Sequence, residues 1–120
     1  MSRPDTPTSP RKATRDLSPH DLRAFVAVVE HESFSRAARA LGISQPTVSL
    51  RLQNLENSLG LRLIDRRQGS RPTETGRGLY NQARRALTEL DALEAFAHEL
   101  GELQRGVLRV GASTLPVAMS

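Results

Sequence analysis

A mainly α chain is predicted, with three short helices closed by a two-stranded hairpin and then one long helix. Three observations carry this. Polar caps and glycines cut residues 17–60 into helix-length apolar stripes. In "LRLIDRRQGSRPTETG" two short extended pieces flank a polar, glycine-bearing tip. From Leu79 to Leu100 apolar residues recur at alternating steps of four and three. A length of 120 residues suits one domain, or one small domain with an extension.

Residues 1–16, "MSRPDTPTSPRKATRD", hold three prolines, few apolar groups and a basic cluster, and read as a disordered basic tail. Order is expected to begin at "LSPHDL". Ser18 is the N-cap, Pro19 takes the first helical position, Asp21 lies three residues past the cap, and Leu17 with Leu22 forms a hydrophobic staple. Leu22, Phe25, Val26 and Val29 mark one buried face of a first helix that ends near His31. Ser33 or Ser35 can cap a second helix with Phe34, Ala37, Ala38 and Leu41 inward, and Gly42 stops it. Ser44 caps a third, with Pro46 in its first turn, a Val48, Leu52, Leu55 and Leu59 stripe inward, and Gly60 at its end.

Half a turn from that stripe, at about 100° per residue, lie Pro46, Ser49, Leu50, Gln53 and Asn57. A merely solvated helix displays Glu and Lys there; a face that touches base edges needs amides, hydroxyls and small apolar groups. Two helices joined by a tight turn therefore read as a helix-turn-helix, with 44–59 as the recognition helix. The hairpin after it carries Arg66, Arg67 and Arg71 and reads as a wing. Charge distribution agrees. From Ser33 to Arg85 ten arginines face only Glu56, Asp65 and Glu74, whereas residues 86–104 hold five acids and no basic residue. Of the 17 basic residues 16 are arginine, whose planar fork suits phosphate and guanine. The fold class is thus a winged helix-turn-helix followed by a long linker helix.

The run "AFVAVVEHESFSRAARALGISQPTVSLRLQNLENSLGLRLIDR…PTETG" resembles the N-terminal domain of LysR-type transcriptional regulators, over roughly residues 17–112. "SFSRAA", "ISQPTVS", "LE..LG.RL" and the stretch from Thr73 to Gly76 are the specific elements. The resemblance implies a sequence-specific regulator that binds double-stranded DNA as a dimer. Gln45, Pro46, Thr47, Ser49, Leu50 and Gln53 would then enter the major groove, Ser35 and Arg51 would lie near phosphates, and Arg66, Arg67 and Arg71 would reach the flanking minor groove. Chemistry is consistent: Gln pairs bidentately with adenine, and the methyls of Leu50 and Thr47 suit a thymine methyl. Two positions depart from the family pattern. Leu50 stands where Arg, Lys or Gln is usual, which leaves open the base it reads, and Ile64 replaces the wing's usual Phe.

Leu79, Ala83, Ala86, Leu90, Leu93, Ala97 and Leu100 occupy seven consecutive a and d positions, the pattern of a coiled-coil seam. One long amphipathic helix folded onto the winged domain would show the same stripe. The resemblance favours antiparallel pairing of two linker helices into a homodimer, with a tetramer left open for a full-length protein. Gly106 is expected to break this helix, and 107–110 to form a short strand, which the resemblance implies is the start of an effector-binding domain truncated here. The resulting domain division is 1–16, 17–73, 74–104 and 105–120. A small-molecule effector would bind that missing C-terminal domain, and no cofactor is expected in these residues.

Other classes fare poorly. The absence of cysteine removes disulfides, zinc-thiolate sites and cysteine nucleophiles. The longest apolar run, Ala24 to Val29, is too short for a bilayer or a signal sequence, so a cytoplasmic protein without membrane contact is expected. His20, His31 and His98 fit neither a metal site nor a triad, and "GRG" at 76–78 lacks the preceding strand and spacing of a nucleotide loop, so no enzyme is expected. Two readings stay beside the main one: the similar domain of a molybdate-responsive regulator, and a dimeric helical protein-interaction adaptor that does not bind DNA.

Overall fold

A computed structural model describes residues 17–110. The expectations for the tail 1–16 and for residues 111–120 lie outside the described residues. The elements are α1 (Pro19–His31), α2 (Phe34–Leu41), α3 (Gln45–Leu59), β1 (Ile64–Asp65), a 3-10 turn (Arg66–Gln68), β2 (Arg71–Pro72) and α4 (Glu74–Val110). They fall into two compact units that divide between Leu87 and Thr88.

In the first unit, local chemistry sets each helix boundary. The hydroxyls of Ser18, Ser33 and Ser44 accept hydrogen bonds from the backbone N–H groups of His20, Arg36 and Thr47, satisfying donors that a helix start leaves unpaired. Ser33, not Ser35, is therefore the cap of α2. Gly42 and Gly60 end α2 and α3 in the left-handed conformation, with φ of 70° and 68°. Glu32 caps α1 in the same conformation, at φ 53°, without a glycine's freedom.

α1 packs on α2 and α3, and α2 packs on α3. Phe25, Val28, Val48, Leu52, Leu55, Leu63 and Ile64 are fully buried, each contributing roughly 1.5–3 kcal/mol of transfer free energy. The buried side of α1 is Ala24, Phe25, Ala27 and Val28, while Leu22, Val26 and Val29 are only partly buried. That face is rotated from the stripe expected, because two helices rather than one cover α1 and the small alanines admit their close approach.

The wing is shorter than its sequence suggests. Antiparallel pairing is limited to Ile64 with Pro72 and Asp65 with Arg71. Two side chains replace a longer ladder. One carboxylate oxygen of Glu56 accepts from the backbone N–H groups of Leu63 (2.8 Å) and Ile64 (3.2 Å), pinning the incoming chain to α3. Thr73 Oγ1 donates to the Arg62 carbonyl at 2.7 Å and accepts from the Gly76 N–H at 2.9 Å, so one hydroxyl ties the wing to the cap of α4. Gly76 is buried, and a Cβ there would collide with the Leu63 backbone carbonyl.

α4 begins at Glu74 as expected but runs through Val110. The break at Gly106 and the strand at 107–110 do not occur: the backbone continues as helix. A mid-helix glycine costs only about 1 kcal/mol, less than is needed to stop a helix already propagating. The first turns of α4 serve the winged core. Ala83 and Leu87 are buried, and Leu79 and Tyr80 pack against the same cluster. Two predicted seam positions, Leu79 and Ala83, thus lie within this unit's own core, and Ala86 is exposed. Tyr80 Oη donates to Glu30 Oε2 at 2.7 Å, with Arg84 Nε 3.6 Å from the same oxygen, so α4 is latched to α1. Desolvation, then this hydrogen bond, raises the Tyr80 pKa above its ordinary value.

The second unit is the helical stretch from Thr88. Leu93, Phe96, Leu100 and Leu103 are 61%, 57%, 45% and 51% exposed, and their spacing places them on one face with Ala97. Glu102 pairs with Arg105 at 2.7 Å and lies 3.7 Å from His98. Among the described residues no helix is long and apolar enough to cross a membrane.

Candidate nucleic-acid interface

One side of the winged unit is built from the outward face of α3 and the hairpin that follows. On α3, Gln45, Pro46, Leu50, Gln53 and Asn57 are exposed, Thr47 and Ser49 are half-buried, and none carries a charge. Leu50 is 56% exposed although nothing in the fold requires an apolar group there. Thr47 is partly committed: its Oγ1 lies 2.8 Å from Ser44 Oγ, so the hydroxyl serves the helix cap while Gln45 and Pro46 remain at the surface. Ser35 is exposed in the first turn of α2. Arg51 is half-buried and within electrostatic reach of Asp21 in α1. Burial raises the Asp21 carboxyl above its ordinary value, and the Arg51 and His20 charges oppose that shift.

The three wing arginines are not equivalent. Asp65 caps the 3-10 turn by accepting from the Arg67 N–H at 3.0 Å, and it also holds Arg67 Nε at 3.4 Å. Arg67 is paired within its own turn, but its side chain stays 91% exposed. Arg71 is exposed on β2, after the left-handed pair Gly69 and Ser70 that turns the chain. Arg66 lies over the Phe34 ring, its guanidinium carbon 4.9 Å from the centroid.

Three shallow grooves connect these groups. Phe34, Gln45, Ser49, Arg66 and Ser70 line one of them. Gln53, Asn57, Arg62 and Arg66 share a second, and Arg62 and Thr73 join Arg66 and Arg67 in a third. These grooves bring Gln45, Ser49 and Gln53 of α3 together with Arg66, and Arg66 with Arg67; Pro46, Thr47, Leu50, Arg51 and Arg71 line none of the three, and Ser35 lies on the neighbouring helix. Arg62 was not singled out by sequence reasoning. Its signal is the alternation "LRL", in which buried Leu63 sends the preceding residue outward. Phe34 and Glu56 were also missed as supports of this surface, since each acts on a different element, Phe34 on a residue 32 positions away and Glu56 on the chain entering the wing.

Three helices, a tight α2–α3 turn and an arginine-bearing hairpin define a winged helix-turn-helix domain. The family described as bacterial regulatory helix-turn-helix protein, lysR family, matches residues 19–77. The chain is 48% identical over 99 residues to the SDS degradation transcriptional activation protein of a Pseudomonas species, covering 81% of this chain and 32% of that protein. It is 40% identical over 93 residues to the transcriptional regulator BenM of Acinetobacter baylyi, covering 75% and 30%. Among solved structures, the BenM DNA-binding domain in complex with benA site 1 DNA is 36% identical with a TM-score of 0.64, covering 70% of this chain and 99% of that one. The chain belongs to the LysR family of bacterial regulators. It spans about a third of the length of these curated relatives.

Proposed function

We propose that these residues form the DNA-reading part of a transcription regulator that binds double-stranded DNA as a homodimer in the cytoplasm, with any small-molecule effector bound by other residues of a longer protein. The observation that carries this is the uncharged, exposed face of α3, Gln45, Pro46, Leu50 and Gln53, flanked by an arginine-bearing wing. Amides and apolar groups read base edges, while arginines hold phosphates and narrow minor grooves. Arg71 is the minor-groove arginine in this reading: it stands exposed on β2 beside the turn, whereas Arg67 pairs with Asp65 and Arg66 lies over Phe34. The similarity to a domain solved on DNA supports the same placement. The exposed apolar face of α4 from Leu93 to Leu103 supplies the dimer contact.

The test is equilibrium binding to the best duplex selected from a random-sequence pool, across a salt series. Log affinity should fall linearly with log salt, by about 0.9 per phosphate neutralised. Absence of salt-dependent binding would leave the protein-interaction adaptor as the reading.

A further inference from the structure

We infer that Arg66 is a preorganised phosphate clamp beside the base-reading face of α3, and that Phe34 is the residue that positions it. This rests on the DNA-binding reading and assigns Arg66 a role different from the minor-groove contact expected of all three wing arginines.

Arg66 follows β1, whereas Phe34 opens α2, 32 positions earlier in the chain. Phe34 is half-buried and packs against the core, so its ring is a fixed platform and not a mobile surface group. Among the described residues no carboxylate forms an ion pair with Arg66; the adjacent Asp65 is engaged by Arg67. Stacking on the ring restrains a long, otherwise mobile side chain without neutralising its charge. No hydrogen bond or ion pair among the described residues occupies the N–H donors of the guanidinium, whose fork matches two phosphate oxygens. The same guanidinium shares a groove with Gln45 and Ser49 of α3 and another with Gln53. A phosphate held by Arg66 therefore lies on the strand that borders the groove Gln45 enters, and its position fixes how far α3 can slide along the bases. A clamp of this kind governs register, which a charge on a free side chain cannot do.

Arg66→Ala should weaken binding to the selected duplex roughly tenfold, with a salt slope shallower by about one. Phe34→Leu keeps an apolar side chain but removes the ring face. It should weaken binding several-fold while leaving the slope close to that of the unaltered chain, because the charge remains and only its placement is lost. Phe34→Tyr should restore full affinity. The double variant Phe34→Leu with Arg66→Ala should bind no worse than Arg66→Ala alone, since residues acting through one another are non-additive. Scanning the duplex with single neutral methylphosphonates should find one phosphate whose replacement abolishes the effect of Arg66→Ala. Independent, additive losses from the two substitutions, or no such phosphate, would overturn the inference while leaving DNA binding intact. Failure of the unaltered chain to bind any duplex in a salt-dependent manner would overturn both readings.

Discussion

Gly76→Ala is expected to destabilise the winged unit by roughly 1–3 kcal/mol or more, the range for inserting a methyl where no space exists. Against the 5–15 kcal/mol typical of a whole domain, such a loss is a large fraction. The cause is a close approach. Gly76 sits in the first turn of α4, its N–H donates to Thr73 Oγ1, and an added Cβ would press on the Leu63 carbonyl and lie 3.1 Å from its carbonyl carbon. These are backbone atoms of the chain entering β1, so no side chain can swing aside. That chain is itself held, because the Leu63 carbonyl accepts from Thr73 N–H at 2.9 Å and the Leu63 N–H donates to Glu56. Relief requires separating the wing from α4. Gly78, two residues on, has nothing within 4 Å of its own Cβ position. Gly78→Ala should therefore stabilise by about 0.5–1 kcal/mol through helix propensity alone. Urea denaturation of both variants checks the pair, and equal midpoints would show that the approach of Leu63 imposes no constraint.

The second large effect is expected at the exposed face of α4. Leu93 is 61% exposed in the single chain, so Leu93→Arg costs the folded chain little. In a dimer that buries this face, the same substitution places an uncompensated charge among apolar groups, at a cost of several kcal/mol. Sedimentation should show a monomer with helix content retained. Affinity for a two-half-site duplex should fall about 10²–10⁴-fold as the second binding event ceases to be intramolecular. A dimer of unchanged strength would place the interface elsewhere. Of the seven residues expected in one seam, Ala83 is buried in the winged core of the single chain and Leu79 packs against that core, while Phe96 and Leu103 share the exposed face with Leu93 and Leu100. A heptad count records that apolar residues share a side of a helix, and not which neighbour covers each turn.

Short-range chemistry was legible at most of the helix ends. Ser18, Ser44, Gly42 and Gly60 sit at the helix ends their residue types favour, because capping involves atoms at most a few residues apart. The outward face of α3 followed from the same periodicity that buried Val48, Leu52 and Leu55. Long-range relations were not legible. Nothing local to "LENSLG" states that Glu56 bonds the chain at residues 63 and 64, and nothing local to "SFSRAA" states that its ring supports a wing arginine. At 107–110 the local signal pointed the wrong way: valines after a glycine suggest a strand, yet the helix arriving from Glu74 carries through.

If α3 reads bases while the wing holds the backbone, substitutions in the two elements should separate specificity from salt dependence. Gln45→Ala and Arg71→Ala are each bound to the selected duplex and to a scrambled duplex of equal length at several salt concentrations. Gln45 is exposed at the first position of α3, and Arg71 is exposed on β2. Gln45→Ala should cost roughly 1–3 kcal/mol on the selected duplex and much less on the scrambled one, with the salt slope nearly unchanged. Arg71→Ala should lower both affinities together, with a slope shallower by about one. If Gln45→Ala weakens the two duplexes equally, α3 is not the element that reads the sequence.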